Sequence, residues 1–191
     1  SRFKFQLKPN EIVIGIVAVL RNSKRHDNFL RIAKQLKSDF PDKKFKFLIA
    51  GEGPMRSSIE SFINKLSLNQ DVIMLGHIEN IPELMSCLDI FLFTADMHEG
   101  VPQVLMQALL MKIKTVSSND GSTADLYNEN NFLISDASFD SLYKNTKMLI
   151  DNLDDDLFLN NSREFIVNSF SKRIATNKIL NIYKKLLKAN A

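Results

Sequence analysis

The sequence has one cysteine, no tryptophan and no long apolar run. The single cysteine, Cys87, cannot form a disulfide framework within the chain, and this favours a reducing compartment. No stretch reaches the roughly 20 apolar residues that a membrane-spanning helix needs, and the start of the chain lacks the pattern of a signal peptide. A net charge of +3 is too small to predict a nucleic-acid-binding domain, which carries a strongly basic face. These absences predict a cytoplasmic protein with no nucleic-acid partner.

Several cofactor and metal motifs are also absent. Residues 18–26, which follow the first predicted strand, contain no glycine, and this excludes the dinucleotide fingerprint; no P-loop motif occurs either. The three histidines are not at the helix-pair spacing of a zinc site. Residues 154–156 satisfy an Asp-x-Asp metal pattern, but at a predicted helix start they are better explained as solvated partners of the helix dipole. We predict no metal and no cofactor.

Apolar runs that read as strands alternate with helical patterns along the 191 residues. The predicted strands are 12–19, 44–50, 72–75, 89–93, 113–116 and 132–134. Helices are predicted between them and over 138–189, with breaks near 151–156 and near Ser171. This alternation predicts an α/β fold, a doubly wound, Rossmann-like parallel sheet with helices on both faces. We interpret residues 1–10 as a linker into a single domain spanning 1–191.

The most informative stretch runs from residue 90 to residue 121. A buried strand ends at Phe93, a polar loop follows over 94–100, and Pro102 stands where a helix would take its first residue. The start of such a helix presents unpaired N–H groups and about half a unit of positive charge, so it can bind a phosphate. Because Pro102 has no N–H, the donors are expected to be Gln103 and Val104.

Three stretches, IGIVAVLRNSKRH, HEGVPQVLMQALLM and SNDGSTADL, resemble the carboxy-terminal half of retaining glycosyltransferases of family 4. These are the "group 1" enzymes of the two-domain GT-B fold, and the resemblance is strongest to bacterial lipopolysaccharide and polysaccharide enzymes. It covers the chain from about Glu11 to the final helix. It implies a donor-binding domain that takes a UDP-sugar or GDP-sugar without a metal, in an enzyme that transfers a hexose to a lipopolysaccharide-core or other cell-envelope saccharide.

The resemblance also implies roles for particular residues. Arg21 and Lys24 would hold and neutralise the leaving diphosphate, although composition alone favours two solvated loop charges. Glu99 would contact the hydroxyls of the donor sugar, and it would also suit the helix dipole. The remaining residues are expected to line the donor site: Gly100, Val101, Pro102, Gln103 and Val104 at the diphosphate, Gly76 and His77 near the nucleobase, and Asp120 and Gly121 near the diphosphate and sugar. The turn Gly51-Glu52-Gly53-Pro54 is similar to the family's Gly-x-Gly-Pro turn.

Gln107 departs from the family pattern, in which a second glutamate receives the ribose hydroxyls. A glutamine can accept one such hydrogen bond and donate another, but without the added strength that a charge gives. Lys112 and Lys114 also stand where the family usually has glycine and proline. Two alternatives therefore stay open: a degenerate, non-catalytic nucleotide-binding or scaffolding domain, and a sugar-nucleotide epimerase of the same fold.

The partners expected from the resemblance lie largely outside this chain. The chain begins with Ser1, and we interpret it as a piece of a longer protein whose amino-terminal domain binds a lipid-linked saccharide acceptor. The piece alone should bind nucleotide weakly and transfer nothing. Residues 171–191 are expected to cross toward the other domain. The last 27 residues carry six basic side chains and no acid, so attraction to the anionic inner face of the cell membrane is the competing interpretation.

Overall fold

The computed structural model describes residues 2–96, 100–128, 131–156 and 159–189. Within these ranges the chain forms one six-stranded parallel sheet in the order β3-β2-β1-β4-β5-β6. The strands are β1 (Glu11–Val17), β2 (Lys44–Ala50), β3 (Val72–Gly76), β4 (Ile90–Phe93), β5 (Lys114–Ser118) and β6 (Leu133–Ser135). The helices are α1 (His26–Asp39), α2 (Arg56–Lys65), α3 (Ile81–Met85), α4 (Gln103–Leu110), α5 (Phe139–Asp151), α6 (Leu159–Phe170) and α7 (Lys172–Ala189).

Helices cover both faces of the sheet, which confirms the predicted fold class. Successive side chains of β1 alternate between the two faces, as the pleat of a strand requires: Ile14 and Ile16 pack with α1, α2 and α5, whereas Val13 packs with α3, α4 and α6. Both cores consist mainly of buried aliphatic and phenylalanine side chains. The strands are therefore apolar on both sides, which is why they read as continuous hydrophobic runs in the sequence.

The strand order reverses between β1 and β4, which pair directly through Ile14 and Ile90. The chain builds outward from β1 to β3, then returns to the centre and builds outward again from β4 to β6. The loops that leave β1 and β4 consequently start side by side at the carboxyl edge of the sheet. In doubly wound sheets this reversal point forms the crevice where ligands bind.

The amino-terminal segment packs onto the domain instead of serving only as a linker into it. Phe5 and Leu7 are each 7% exposed and belong to the core around α3 and α4. The Arg2 guanidinium donates to both carboxylate oxygens of Asp89, at 2.8 and 2.7 Å, and the same carboxylate accepts the Val13 N–H at 2.7 Å. This segment is thereby fixed to the edge of the sheet opposite the candidate site.

The last helix, α7, leaves its apolar side chains exposed. Ile179, Ile182, Tyr183, Leu186 and Leu187 are between 52% and 72% exposed, and α7 contacts the rest of the described chain mainly through α6. The apolar stripe that the sequence predicts on this helix is therefore not covered by the described residues. None of the described helices combines the length and the apolar character that a membrane crossing requires.

Candidate functional site

The loops after β1 and β4 are hydrogen-bonded to one another. The Asp96 N–H donates to the Ser23 carbonyl at 3.0 Å, and the Thr94 hydroxyl reaches the carbonyls of Lys24 and Arg25 at 2.7 and 3.1 Å. The segment that carries Arg21 and Lys24 therefore lies against the segment that leads toward Glu99 in the sequence. Glu99 itself lies outside the described residues, so the structure gives no position for its carboxylate.

Arg21 and Lys24 lie at the two ends of one 3₁₀ turn, Asn22–Lys24, which Arg21 caps. Arg21 itself has an extended backbone, with φ −126° and ψ 157°, so the two cations flank the turn. Lys24 Nζ lies 5.6 Å from the centre of the Phe93 ring, at the end of β4. The Arg21 side chain is exposed, and no described residue makes an ion pair or hydrogen bond with its guanidinium. The loop after β1 thus carries two cations three residues apart.

The glycine turn after β2 supports the loop that carries these cations. Leu20 donates its N–H to the Glu52 carbonyl, and its own carbonyl accepts the Met55 N–H, both at 3.0 Å. A Cβ on Gly51, whose φ is +138°, would lie 1.9 Å from the Ala18 carbonyl oxygen; on Gly53 it would lie 2.7 Å from the Leu20 carbonyl oxygen. The two glycines are therefore required because the backbones of two loops touch there.

The amino end of α4 presents free amide groups at the same edge of the sheet. Pro102 is the residue before the helix, not its first residue as predicted, and it provides no side-chain cap. The first intrahelical bond runs from the Met106 N–H to the Pro102 carbonyl. The N–H groups of residues 103–105 have no acceptor among the described residues, so Leu105 adds a third donor to Gln103 and Val104. Gly100 is exposed, and a Cβ placed on it would meet no described atom within 4 Å.

Gln107 lies one turn after Gln103 on the outer side of α4. Both glutamines are exposed and line a cavity of about 350 Å³ that α6 closes with Ile166, Val167 and Phe170. Arg21 lines a different cavity, of about 320 Å³, between α1 and α2. The structure thus brings the β1 and β4 loops together but does not place Gln107 in the same cavity as Arg21.

The two lysines that depart from the family pattern have structural roles. Lys112 follows the end of α4 with φ +58°, and the Ile113 N–H bonds back to the Ala108 carbonyl. This is the helix-ending motif in which glycine is usual. Lys114 is 8% exposed, and its ammonium donates to the carbonyls of Asn152 and Asp155 between α5 and α6. Both lie away from the reversal point.

A third depression lies where β1, β2 and β3 end. Its volume is about 360 Å³, and Val17, Val19, Gly51, His77 and Ile78 are among the residues that line it. His77 is exposed, and Gly76 has φ +68° and accepts the Gly51 N–H at 2.8 Å. The largely apolar wall suits a flat ring more than a charged group.

The loop after β5 adjoins the loop after β4. The Ser118 hydroxyl donates to the Ala95 carbonyl at 2.5 Å. Asp120 is 6% exposed, and Gly121, with φ +51°, opens a 3₁₀ turn. Among the described residues, no three His, Cys, Asp or Glu side chains come together as a metal site would require.

The ionic contact between Arg25 and the β4 loop was missed by sequence reasoning. Arg25 Nη1 lies 2.8 Å from Asp96 Oδ2, and Nε lies 2.9 Å from Asp27 Oδ1. Hydrogen bonds to Asp27 and then to Asp96 raise the pKa of Arg25 above its usual value. Asp96 is 71 residues away in the chain, so no local pattern could have revealed this pair.

Comparison with known families and proteins agrees with this architecture. Residues 1–168 match the family model described as "Glycosyl transferases group 1". The chain is 35% identical over 99 residues to the putative glycosyltransferase EpsF of Bacillus subtilis, a match that covers 52% of this chain and 25% of EpsF. It is 27% identical over 169 residues to a Campylobacter jejuni α-1,4-N-acetyl-D-galactosaminyltransferase whose name specifies an undecaprenol-diphosphate-linked saccharide, with 87% of this chain and 42% of the relative covered. The chain thus spans less than half the length of these relatives.

Among solved structures, the chain is similar to Anabaena Alr3699/HepE, crystallised with UDP and glucose. The TM-score is 0.85 at 18% identity, over 96% of this chain and 51% of HepE. At this level of identity the likeness establishes the shared fold.

Proposed function

Because this chain belongs to the group 1 glycosyl transferases and has the Rossmann-like fold of their GT-B enzymes, we propose that it is the nucleotide-sugar-binding domain of a retaining transferase. The proposed reaction moves a hexose from the donor to a lipopolysaccharide-core or other cell-envelope saccharide. One observation carries the proposal: the two cations of the β1 loop and the open amino end of α4 belong to the two loops that meet at the reversal point of the sheet.

The proposed role of this arrangement is electrostatic. When the bond between the sugar and the diphosphate breaks, negative charge builds up on the leaving diphosphate. The Arg21 guanidinium can hold phosphate oxygens through two hydrogen bonds, Lys24 adds a point charge, and the amides of residues 103–105 add oriented dipoles. Donors fixed in place before the reaction stabilise such charge without reorganising, which is usually the largest single catalytic effect. In this scheme Glu99 orients the donor sugar and no metal is needed.

The rest of the donor would extend from this point along the carboxyl edge of the sheet. We assign the nucleobase to the apolar depression beside Gly76 and His77, and the sugar side to the loop with Asp120 and Gly121. Gln107 would contact the ribose through its neutral amide. The UDP bound to HepE supports a uridine donor over a guanosine one.

We also propose an acceptor for the sugar and a cellular location for the enzyme. The name of the Campylobacter relative supports a lipid-linked saccharide, which would place a bacterial enzyme in the cytoplasm at the inner face of the membrane. The acceptor site is assigned to the part of the full-length protein that precedes this chain. Since the catalytic assembly then needs both parts, the chain alone should bind donor weakly and transfer nothing.

Sugar transfer by the full-length protein tests these assignments. We expect Arg21→Ala and Lys24→Ala each to lower kcat by ~10²–10³, the usual effect of removing one such donor. Lys34→Ala, which removes an exposed lysine from α1, is the matched control and should leave turnover unchanged. Wild-type turnover in either site variant would remove the assignment. A nucleoside diphosphate that binds the folded protein should stabilise it by about 2.7 kcal/mol when its concentration is ~100 times its Kd. The absence of thermal stabilisation by any nucleoside diphosphate would favour the non-catalytic alternative.

A further inference from the structure

Arg25 joins the loop after β1 to the loop after β4 through both its side chain and its backbone. The guanidinium pairs with Asp96 at 2.8 Å across the two loops, and with Asp27 in the first turn of α1 at 2.9 Å. The Arg25 carbonyl accepts the Thr94 hydroxyl at 3.1 Å. Arg25 directly follows Lys24, and Asp96 precedes Glu99 by three residues. The contact therefore links the two segments that carry the proposed catalytic groups.

The backbone of Arg25 shows that this contact opposes a local preference. Its φ and ψ are 49° and 48°, the left-handed conformation, which disfavours every residue with a Cβ and which glycine adopts readily. A non-glycine residue persists there only when its surroundings hold it in place, and such residues concentrate at functional sites. The Arg25 backbone is held by its N–H, which donates to the Asn22 carbonyl at 3.0 Å, and by its carbonyl, which accepts the Thr94 hydroxyl. The two carboxylates add the side-chain contacts.

Stability alone does not account for an arginine at this position. The Arg25 and Asp96 side chains are 32% and 29% exposed, and ion pairs this open to water contribute little to the free energy of folding because solvent screens them. Geometry is the larger consequence. The guanidinium adds a side-chain contact between the loop after β1 and the loop after β4, beside the hydrogen bonds of Thr94 and Asp96.

We propose that Arg25 is a positioning residue of the transferase, which holds the diphosphate-binding loop in register with the sugar-binding loop by bridging to Asp96. This inference rests on the proposed function. A displacement of about 1 Å between reacting groups can lower a rate by about 10², so loss of the bridge should act on kcat more than on binding.

Matched variants of the full-length enzyme separate this role from a structural one. Arg25→Gly removes the bridge and also relieves the left-handed strain, so the thermal midpoint should stay the same or rise while kcat falls 10- to 100-fold. Asp96→Asn should reproduce the fall in kcat, whereas Asp27→Asn, which leaves the bridge between the loops intact, should keep kcat within about twofold. The KM for the donor should change less than threefold in all three. Wild-type kcat in Arg25→Gly would overturn the proposal, as would a rise in KM alone, which would make Arg25 a direct donor ligand.

Hydrogen exchange tests the bridge without relying on catalysis. The Asp96 amide, bonded to the Ser23 carbonyl, should exchange at least tenfold faster in Arg25→Gly and Asp96→Asn, and at the wild-type rate in Asp27→Asn. Unchanged exchange in the first two variants would overturn the bridge whether or not the enzyme is active. A wild-type protein that turns over no nucleotide sugar, yet shows this exchange pattern, would refute the proposed function and leave the bridge standing as the contact that aligns the two loops.

Discussion

Replacing Gly51 by alanine should destabilise the protein markedly, because the new Cβ has no room. It would lie 1.9 Å from the Ala18 carbonyl oxygen, and the backbone φ of +138° is one that side chains rarely tolerate. Strain of this kind costs about 1–3 kcal/mol, and the displaced loop would lose about one backbone hydrogen bond, worth about 1 kcal/mol. The expected loss is about 3 kcal/mol, which for a domain of this size lowers Tm by about 6–12 °C.

Thermal unfolding followed by circular dichroism measures this loss, and Gly100→Ala provides the matched control. A Cβ at Gly100 would meet no described atom within 4 Å, so its Tm should stay within about 2 °C of wild type. Because Gly51 supports the loop that carries Arg21 and Lys24, Gly51→Ala should also weaken nucleotide binding below its own unfolding temperature. Equal Tm values for the two variants would refute the reasoning that links the glycine turn to loop position.

Three further predictions test other parts of the structure. Burial lowers the pKa of His26 to about 4, against a smaller opposing effect of Asp27. Since the unfolded chain binds the proton more readily, the free energy of unfolding should fall from pH 6.5 to pH 4 by about 1 kcal/mol per pH unit. In urea titrations, the free energy of unfolding of His26→Gln should change less steeply with pH than that of wild type. Lys112→Gly should raise the free energy of unfolding by about 1 kcal/mol in urea, because glycine relieves the left-handed strain at the end of α4; a loss of stability would contradict this. Phe5→Ala should destabilise the folded domain by about 3 kcal/mol and Phe3→Ala by almost nothing, since the two rings are 7% and 95% exposed. Equal unfolding midpoints of the two variants in calorimetry would show that the first residues do not belong to the core.

The candidate site divides between features that are local in the chain and features that are not. The helix start after Pro102 follows from short-range spacing, so it was predicted within one residue. Leu105 was missed as a donor because the boundary of α4 was placed one residue early. Lys112 and Lys114 looked like marks of decay in the sequence, and only the packing of α4 and of the α5–α6 connection shows that they have structural roles.

The sequence by itself determined the fold class, because alternating apolar runs and helical periods permit few other arrangements, and it indicated the family through the resemblance of three stretches. Tertiary structure alone decided the strand order that sets β1 beside β4, the requirement for Gly51 and Gly53, and the pairing of Arg25 with Asp96. Each of these depends on atoms that are far apart in the chain and meet only when the chain folds. A residue's own neighbours in sequence set its local preference, but which distant backbone or carboxylate it faces is fixed by the packing of the whole sheet.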